Sequence, residues 1–292
     1  MTAHYFIQKV VKSTGFRKKS GIPCFFVLWM WINLREKNEK GSFSVASLRA
    51  ETYADALAEG LQDQDLLTIL DQYDMRVTEV EYITQWADEN RSYEQKYKEQ
   101  VCFHMCDLFG VQHINCGLLE TYPLDHTAQK LKELCRRAGK RLIALEPMPY
   151  SGVPTLAAAW EIVQASGCSN AGLLLDLWHW VRAQQPLDGR LLEEIPADRI
   201  VSLQIDDVLP RPYASSVLRD ESMHDRLAPG TGCGRTADFV QMFRAKGVQP
   251  AVLGVEVISD ALLQEGVPAA AQYTYACTRK VLEQAWPQLL EK

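Results

Sequence analysis

Three acids in this chain stand where a charge is expensive. Leu142-Ile143-Ala144-Leu145 runs directly into Glu146, Leu173-Leu174-Leu175 into Asp176, and Val252-Leu253-Gly254-Val255 into Glu256. A lone ionised carboxylate in such surroundings costs several kcal/mol to bury, and carboxylates that converge also repel one another. A divalent cation relieves both penalties, because it brings the opposite charge and takes oxygen ligands. Three carboxylates joined by an amide oxygen such as that of Gln204 would form a hard, all-oxygen site, suited to Mg²⁺ or Mn²⁺ ahead of Zn²⁺, with Co²⁺ or Zn²⁺ able to occupy it in vitro. Each acid alone could instead pair with an arginine or cap the next helix; the set is better explained by an ion. A cation that chelates an α-hydroxycarbonyl stabilises charge on oxygen when the neighbouring C–H loses its proton, so the expected chemistry is proton transfer beside a carbonyl.

The elements that must position these groups follow from the hydrophobic pattern. From Arg76 onward, short apolar runs alternate with amphipathic stretches of helical length, the pattern of repeated βα units around a parallel sheet. Strands are expected at 76–83, 113–117, 141–147, 171–177, 200–206 and 251–258, and helices at 91–110, 125–139, 154–166, 189–194, 236–246 and 268–285. Gly110, Gly139, Gly167, Pro196 and Gly247 punctuate the joints, where helix stops belong. This predicts an α/β chain, a (β/α)₈ TIM barrel in a single domain over residues 1–292. Six strands leave the ring two short, so 24–32 and 43–49 are the candidates to complete it. Residues 1–42 read as an atypical segment and the first βα unit as divergent or incomplete. Barrel enzymes gather their active-site residues at the C-terminal strand ends, which here brings forward Glu81, Glu146, Asp176, Gln204 with Asp206, and Glu256.

Bulk properties exclude several classes of function. With 292 residues, 47% of them hydrophobic and 23% charged, the chain can close one large core and carries no compositional sign of disorder. A net charge of −6 gives phosphate backbones no broad attraction, so nucleic acid is not an expected partner. The eight cysteines are scattered without a CxxC pair and read as reduced cytoplasmic thiols. No apolar run approaches the ~20 residues of a membrane span. The first forty residues hold eight Lys or Arg and two acids, and within them runs Phe25-Phe26-Val27-Leu28-Trp29-Met30-Trp31. That could mimic a signal peptide, but the apolar part sits late and no small-residue cleavage pattern follows it.

Beyond the strand ends, His179 lies three residues after Asp176, where a loop could aim it at an ion-bound substrate; between Trp178 and Trp180 it could equally be packed. A polar excursion of about 30 residues follows the 200–206 strand and contains Met223-His224-Asp225-Arg226-Leu227-Ala228-Pro229-Gly230-Thr231-Gly232. Arg226 offers a bidentate fork to a carboxylate, phosphate or diol, and the glycines would let backbone approach a ligand. His224, Glu120, Tyr150, Trp178 and Trp180 fall in rim loops and could line the pocket. Cys102 and Cys106 fit core packing better than metal binding, and His104 and His113 look structural.

Glu-Pro at 146–147, Asp-x-x-His at 176–179, Gln-x-Asp at 204–206, Arg-x-x-Pro-Gly-x-Gly at 226–232 and Val-Glu-Val at 255–257, in that order, resemble the xylose isomerase-like TIM barrels of the sugar phosphate isomerase/epimerase group. The resemblance runs from about residue 76 to the C-terminus. It implies metal ligation by Glu146, Asp176, Gln204 and Glu256, acid/base roles for Glu146 and Glu256, and contact of His179 and Arg226 with substrate oxygens. Many relatives have His as the third ligand; Gln204 is instead similar to the dehydroshikimate dehydratase branch. The leading expectation is therefore a metal-dependent isomerase or epimerase acting on a small polyhydroxylated carbonyl compound, with homo-oligomerisation left open. A dehydratase acting on 3-dehydroshikimate or an inosose is the nearest rival, and a non-catalytic metabolite-binding barrel is the rival from another class. Endonuclease IV relatives use a His-rich three-zinc site, which six histidines and an acidic chain do not fit.

Overall fold

A computed structural model of the chain describes residues 30–31, 43 and 45–290. Strands β1 (Met30–Trp31), β2 (Val45–Arg49), β3 (Arg76–Ile83), β4 (His113–Cys116), β5 (Leu142–Leu145), β6 (Ala171–Asp176), β7 (Ile200–Ile205) and β8 (Val252–Val255) close into a barrel in sequence order. From β2 to β8 each strand runs parallel to the next. β1 pairs antiparallel with both β2 and β8. The expected TIM barrel is present, and its divergent N-terminal unit takes a definite form: two antiparallel residues complete the ring. β2 and β1 fall within the expected 43–49 and 24–32 segments; the remainder of 24–32, like most of residues 1–42, lies outside the described residues.

The helices are α1 (Ala50–Ala58), α2 (Asp63–Gln72), α3 (Tyr93–Phe109), α4 (Leu124–Ala138), α5 (Leu156–Ser166), α6 (Leu177–Arg182), α7 (Leu218–His224), α8 (Thr236–Lys246), α9 (Asp260–Gln264) and α10 (Val267–Ala285). Their starts are written locally. Ser92 Oγ accepts from the Gln95 amide at 3.2 Å while Gln95 Oε1 accepts from the Ser92 amide at 2.7 Å, a reciprocal cap for α3. Thr155 caps α5 in the same sense. The expected helix at 189–194 shrinks to a 3₁₀ turn at Arg190–Leu192. Helices α1, α2, α6, α7 and α9 fall where the sequence predicts none. They are short: α6 spans six residues and α7 seven, too few for an apolar stripe of helical period to announce them.

All six residues of β6 and of β7 are buried, as befits strands covered by helices outside and side chains within. The interior, usually filled by branched apolar residues, is polar on two levels here. β3 and β7 lie on opposite sides of the ring, so side-chain bonds between them cross the lumen. At the lower level Glu79 Oε1 lies 2.8 Å from His113 Nε2 and accepts from Ser202 Oγ at 2.8 Å. At the upper level Glu81 Oε1 accepts from Asn115 Nδ2 at 3.1 Å and from Gln204 Nε2 at 3.4 Å. Among the described residues, no helix is long and apolar enough to cross a membrane.

Candidate active site

Above the upper level, at the strand ends, buried polar side chains meet. Asp176 ends β6 and caps α6: its Oδ1 accepts from the His179 amide at 2.8 Å, which turns His179 back over the barrel mouth. His179 thus sits on a short helix, not in a loop. Its Nε2 lies 3.3 Å from Oε1 of Glu146, just past β5. Oε2 of Glu146 accepts from the Tyr82 hydroxyl at 2.6 Å. The Tyr150 ring stands edge-on to His179 with centroids 5.5 Å apart, and its hydroxyl is 3.2 Å from Ser222 Oγ.

Arg226 ties the opposite side together. Its Nη1 donates to Glu256 Oε2 at 2.7 Å, Asp206 Oδ2 at 2.8 Å and Asp176 Oδ2 at 3.0 Å. Its Nε and Nη2 reach back to Ser222 O and Oγ at 2.9 and 3.0 Å, and the guanidinium lies over the Trp178 ring at 5.6 Å. Helix α7, which carries Ser222, is anchored by buried Glu221: Glu221 Oε1 accepts from Arg182 Nε at 2.7 Å, and Oε2 from the Tyr213 amide at 2.7 Å. The excursion expected to be irregular therefore contains a helix that fixes Arg226.

Several acids crowd one guanidinium, and their ionisation shows it. Burial and neighbouring Asp176 push the Asp206 carboxyl well above its ordinary range against the pull of Arg226. Burial raises Glu256 likewise, with Arg226 opposing and Asp176, Glu146 and Glu81 adding. Burial and Glu79 push Glu81 up to about 8. Glu146 goes the other way: burial alone would raise it, but His179, Tyr82 and Arg226 together hold it below the usual carboxylate value. Arg226, despite burial, stays firmly charged among Asp176, Glu256 and Asp206.

The sequence-expected residues Glu146, Asp176, Glu256, His179 and Arg226 meet in this one group; Gln204, in register beside Asp176 on β7, is bonded to Glu81 at the level just below. His224 is not brought to the group: its side chain is 54% exposed and its Nδ1 lies 3.2 Å from Asp260 Oδ2, on the outer surface. Glu120 is half-buried in the loop after β4; its Oε2 is buried without a hydrogen-bond partner, and no hydrogen bond ties it to the group. The glycines after Arg226 serve the chain itself rather than a ligand. A Cβ on Gly232 would stand 2.3 Å from the Val208 carbonyl, and the Gly234 amide donates to Asp207 Oδ1 at 2.6 Å. Tyr82 and Ser222 carry no sequence signal beyond position; Tyr82 follows a strand-end acid, and Ser222 precedes Arg226 by four residues.

Among the described residues, no three His, Cys, Asp or Glu side chains are grouped as a metal cage; Arg226 Nη1 stands between three of the acids instead. Donor chemistry nevertheless fits a hard cation. Gln204 Oε1 is buried and accepts no hydrogen bond, and Asp206 Oδ1 is in the same condition. A buried acceptor left unsatisfied costs about 1–3 kcal/mol, so one beside several carboxylates and a single guanidinium calls for positive charge.

Comparison with known proteins agrees with this architecture. A 3-dehydroshikimate dehydratase of Pseudomonas aeruginosa is 30% identical over 138 residues, 46% of this chain and 20% of that protein. An inosose isomerase of Halalkalibacterium halodurans is 32% identical over 125 residues, 42% of each. The chain thus spans less than half the length of either relative. Among solved structures, the IOLI protein with a bound zinc atom superposes with a TM-score of 0.70 at 19% identity, covering 84% of this chain and 90% of that one, a likeness of fold. Residues 41–279 match the xylose isomerase-like TIM barrel family, and the chain belongs to that family.

Proposed function

We propose that the barrel mouth binds one divalent cation, Mg²⁺ or Mn²⁺, through Glu146, Asp176, Gln204 and Glu256, and that the chain is an isomerase or epimerase. Its substrate is a small polyhydroxylated carbonyl compound, from which a proton is taken at the carbon beside the carbonyl. The observation that carries this reading is the buried, unpartnered Oε1 of Gln204, in register beside Asp176, together with the crowding of Asp176, Asp206 and Glu256 on one guanidinium. The zinc atom in the IOLI structure supports a bound cation in a barrel of this fold.

When bound, the ion would stabilise the negative charge that grows on the substrate oxygen as the proton leaves. Glu146 and Glu256 follow β5 and β8, three strands apart in the ring, so they approach a substrate lying across the mouth from different sides and serve as the groups that take and return the proton. The Tyr82 hydroxyl fixes which way the Glu146 carboxylate faces. His179 presents an N–H to a substrate oxygen; Arg226, whose N–H groups are held by Asp176, Asp206, Glu256 and Ser222, adds positive charge behind the carboxylates; Trp178 and Tyr150 wall these groups off from water.

Loss of a β-hydroxyl after the same proton abstraction would give dehydration. The match to a 3-dehydroshikimate dehydratase favours this second reading. The test is the purified chain with Mn²⁺ in deuterated water. Deuterium entering an inosose beside its carbonyl supports isomerisation. Robust turnover of 3-dehydroshikimate to an ultraviolet-absorbing aromatic product replaces that reading with dehydration. Inactivity on both, with no Mn²⁺ bound, overturns the two and leaves a metabolite-binding barrel.

A further inference from the structure

Glu81 is 2% exposed and lies outside the donor set, yet it holds one member of that set by the wrist. Its Oε1 accepts from Gln204 Nε2 at 3.4 Å across the barrel and from Asn115 Nδ2 at 3.1 Å, while its Oε2 lies 3.5 Å from Arg49 Nε. A primary amide has two unlike ends, and turning it over exchanges an acceptor for a donor. Only the oxygen end can ligate a cation. With its NH₂ committed to Glu81, Gln204 presents Oε1, the atom that is buried without a partner. Asn115 is oriented by the same carboxylate oxygen, which leaves its own Oδ1 unpartnered as well.

We propose that Glu81 is a positioning residue: it locks the Gln204 amide so that oxygen, not nitrogen, faces the cation. This rests on the reading of Gln204 as a ligand. It accounts for an amide in a role that a carboxylate could fill without any orienting partner. It also separates two things Glu81 could contribute, reach and charge. Partners that orient a ligand act through reach, and their loss characteristically weakens metal binding by about 10–100-fold.

Two conservative variants of the full chain divide these contributions. Glu81→Asp keeps the carboxyl group and withdraws its oxygen by one methylene; Glu81→Gln keeps an oxygen at full reach and removes the acid, with whatever charge it carries. Mn²⁺ affinity is measured by calorimetry and by electron paramagnetic resonance of the free ion, with thermal melting as the check on folding. Glu81→Asp is expected to weaken Mn²⁺ binding about 10–100-fold, and Glu81→Gln to retain most of it. An aspartate variant that binds like the wild type, or a glutamine variant that loses as much as the aspartate one, overturns the inference. A wild-type chain that binds no Mn²⁺ overturns the reading of the site and this inference with it.

A measurement on the wild type needs no folded variant at position 81. Side-chain amide resonances of ¹⁵N-labelled chain, with Gln204 assigned through their loss in Gln204→Glu, should include one Gln204 N–H proton that is shifted downfield and slow to exchange before any ion is added. Fast-exchanging, averaged Gln204 amide protons would overturn the inference.

Discussion

The Tyr82 hydroxyl donates to Oε2 of Glu146 at 2.6 Å, through a gap that Gly117 keeps open: a Cβ there would stand 2.1 Å from the same hydroxyl oxygen. A residue of β3 and one just past β4, the latter important only for the side chain it lacks, thereby fix the direction of a carboxylate just past β5. Glu146 Oε1 is left facing His179 and the mouth.

Tyr82→Phe should lower kcat with little effect on folding. A hydrogen bond to a charged group is worth about 1.5–3 kcal/mol, so the expected loss is roughly 10–100-fold if the bond matters most in the transition state. Gly117→Ala should reproduce it by pushing the tyrosine aside. Steady-state kinetics on both variants, beside melting curves, make the check; full activity in Tyr82→Phe would remove Tyr82 from the mechanism.

Arg226 is the guanidinium on which Asp176, Asp206 and Glu256 converge. Removing one partner of a buried ionic group leaves the others uncompensated, at a cost of about 3–5 kcal/mol. Arg226→Met should show that loss in urea denaturation without added metal, together with loss of activity. A variant as stable as the wild type would mean that the carboxylates are already protonated and need no cation.

How much of this was legible beforehand depended on the kind of signal. β5, β6, β7 and β8 were readable because a strand buried on both faces must be apolar, and an acid at its end then stands out against the run. Glu146, Asp176 and Glu256 stand out in this way; Gln204, an amide, came forward only through its strand-end place, the order of the motifs and the resemblance. Tyr82 and Ser222 were not, since their roles exist only in contacts with Glu146 and Arg226, 64 and 4 residues away. His224 misled because proximity to Arg226 in sequence says nothing about which side of a helix it occupies; α7 turns it outward to Asp260. Helices α1 and α2 escaped although each has a buried stripe, Tyr53 with Ala56 and Leu66 with Ile69; they are short, and much of their stability comes from packing on the barrel. The glycines after Arg226 were correctly seen as close-approach positions, but the approaching groups are Val208 and Asp207 of the same chain.

Away from the mouth, Glu99 on α3 is the buried acid that joins α3 to α4. Its Oε2 lies 2.8 Å from Arg91 Nη1, and Arg137 donates to both of its oxygens at 2.5 and 2.9 Å. Glu99→Ala should destabilise the chain by about 3 kcal/mol while leaving KM and Mn²⁺ affinity unchanged. Chemical denaturation reads the first and the standard assay the second. A shift of less than about 1 kcal/mol would place this cluster with ordinary surface pairs.

Removal of Oε ionisation at Glu256 tests the donor set directly. Glu256→Gln keeps shape and an acceptor for Arg226, so the fold should survive, but it removes a charged donor and a proton carrier. Activity should be lost, and Mn²⁺ binding weakened. In the wild type, a chelator should abolish activity and added Mn²⁺ restore it. Undiminished turnover in Glu256→Gln, or in chelator, would exclude the proposed roles.

Asp63 gives a pH-dependent check on the α1 and α2 region. The Tyr53 hydroxyl, ahead of His104, holds its carboxyl below the ordinary value against burial. A carboxyl whose folded pKa is depressed stabilises the fold above its unfolded pKa, about 3.9, and that contribution is lost as pH falls through the folded value. Tyr53→Phe removes the leading cause of the depression. The stability gap between wild type and variant should therefore be widest near neutrality and should narrow as pH drops below about 4, with only the pH-independent part of the substitution remaining. Urea denaturation across that range measures the gap. A gap that stays constant with pH would mean that the bond to Asp63 contributes nothing through ionisation, and that Tyr53 acts through packing alone.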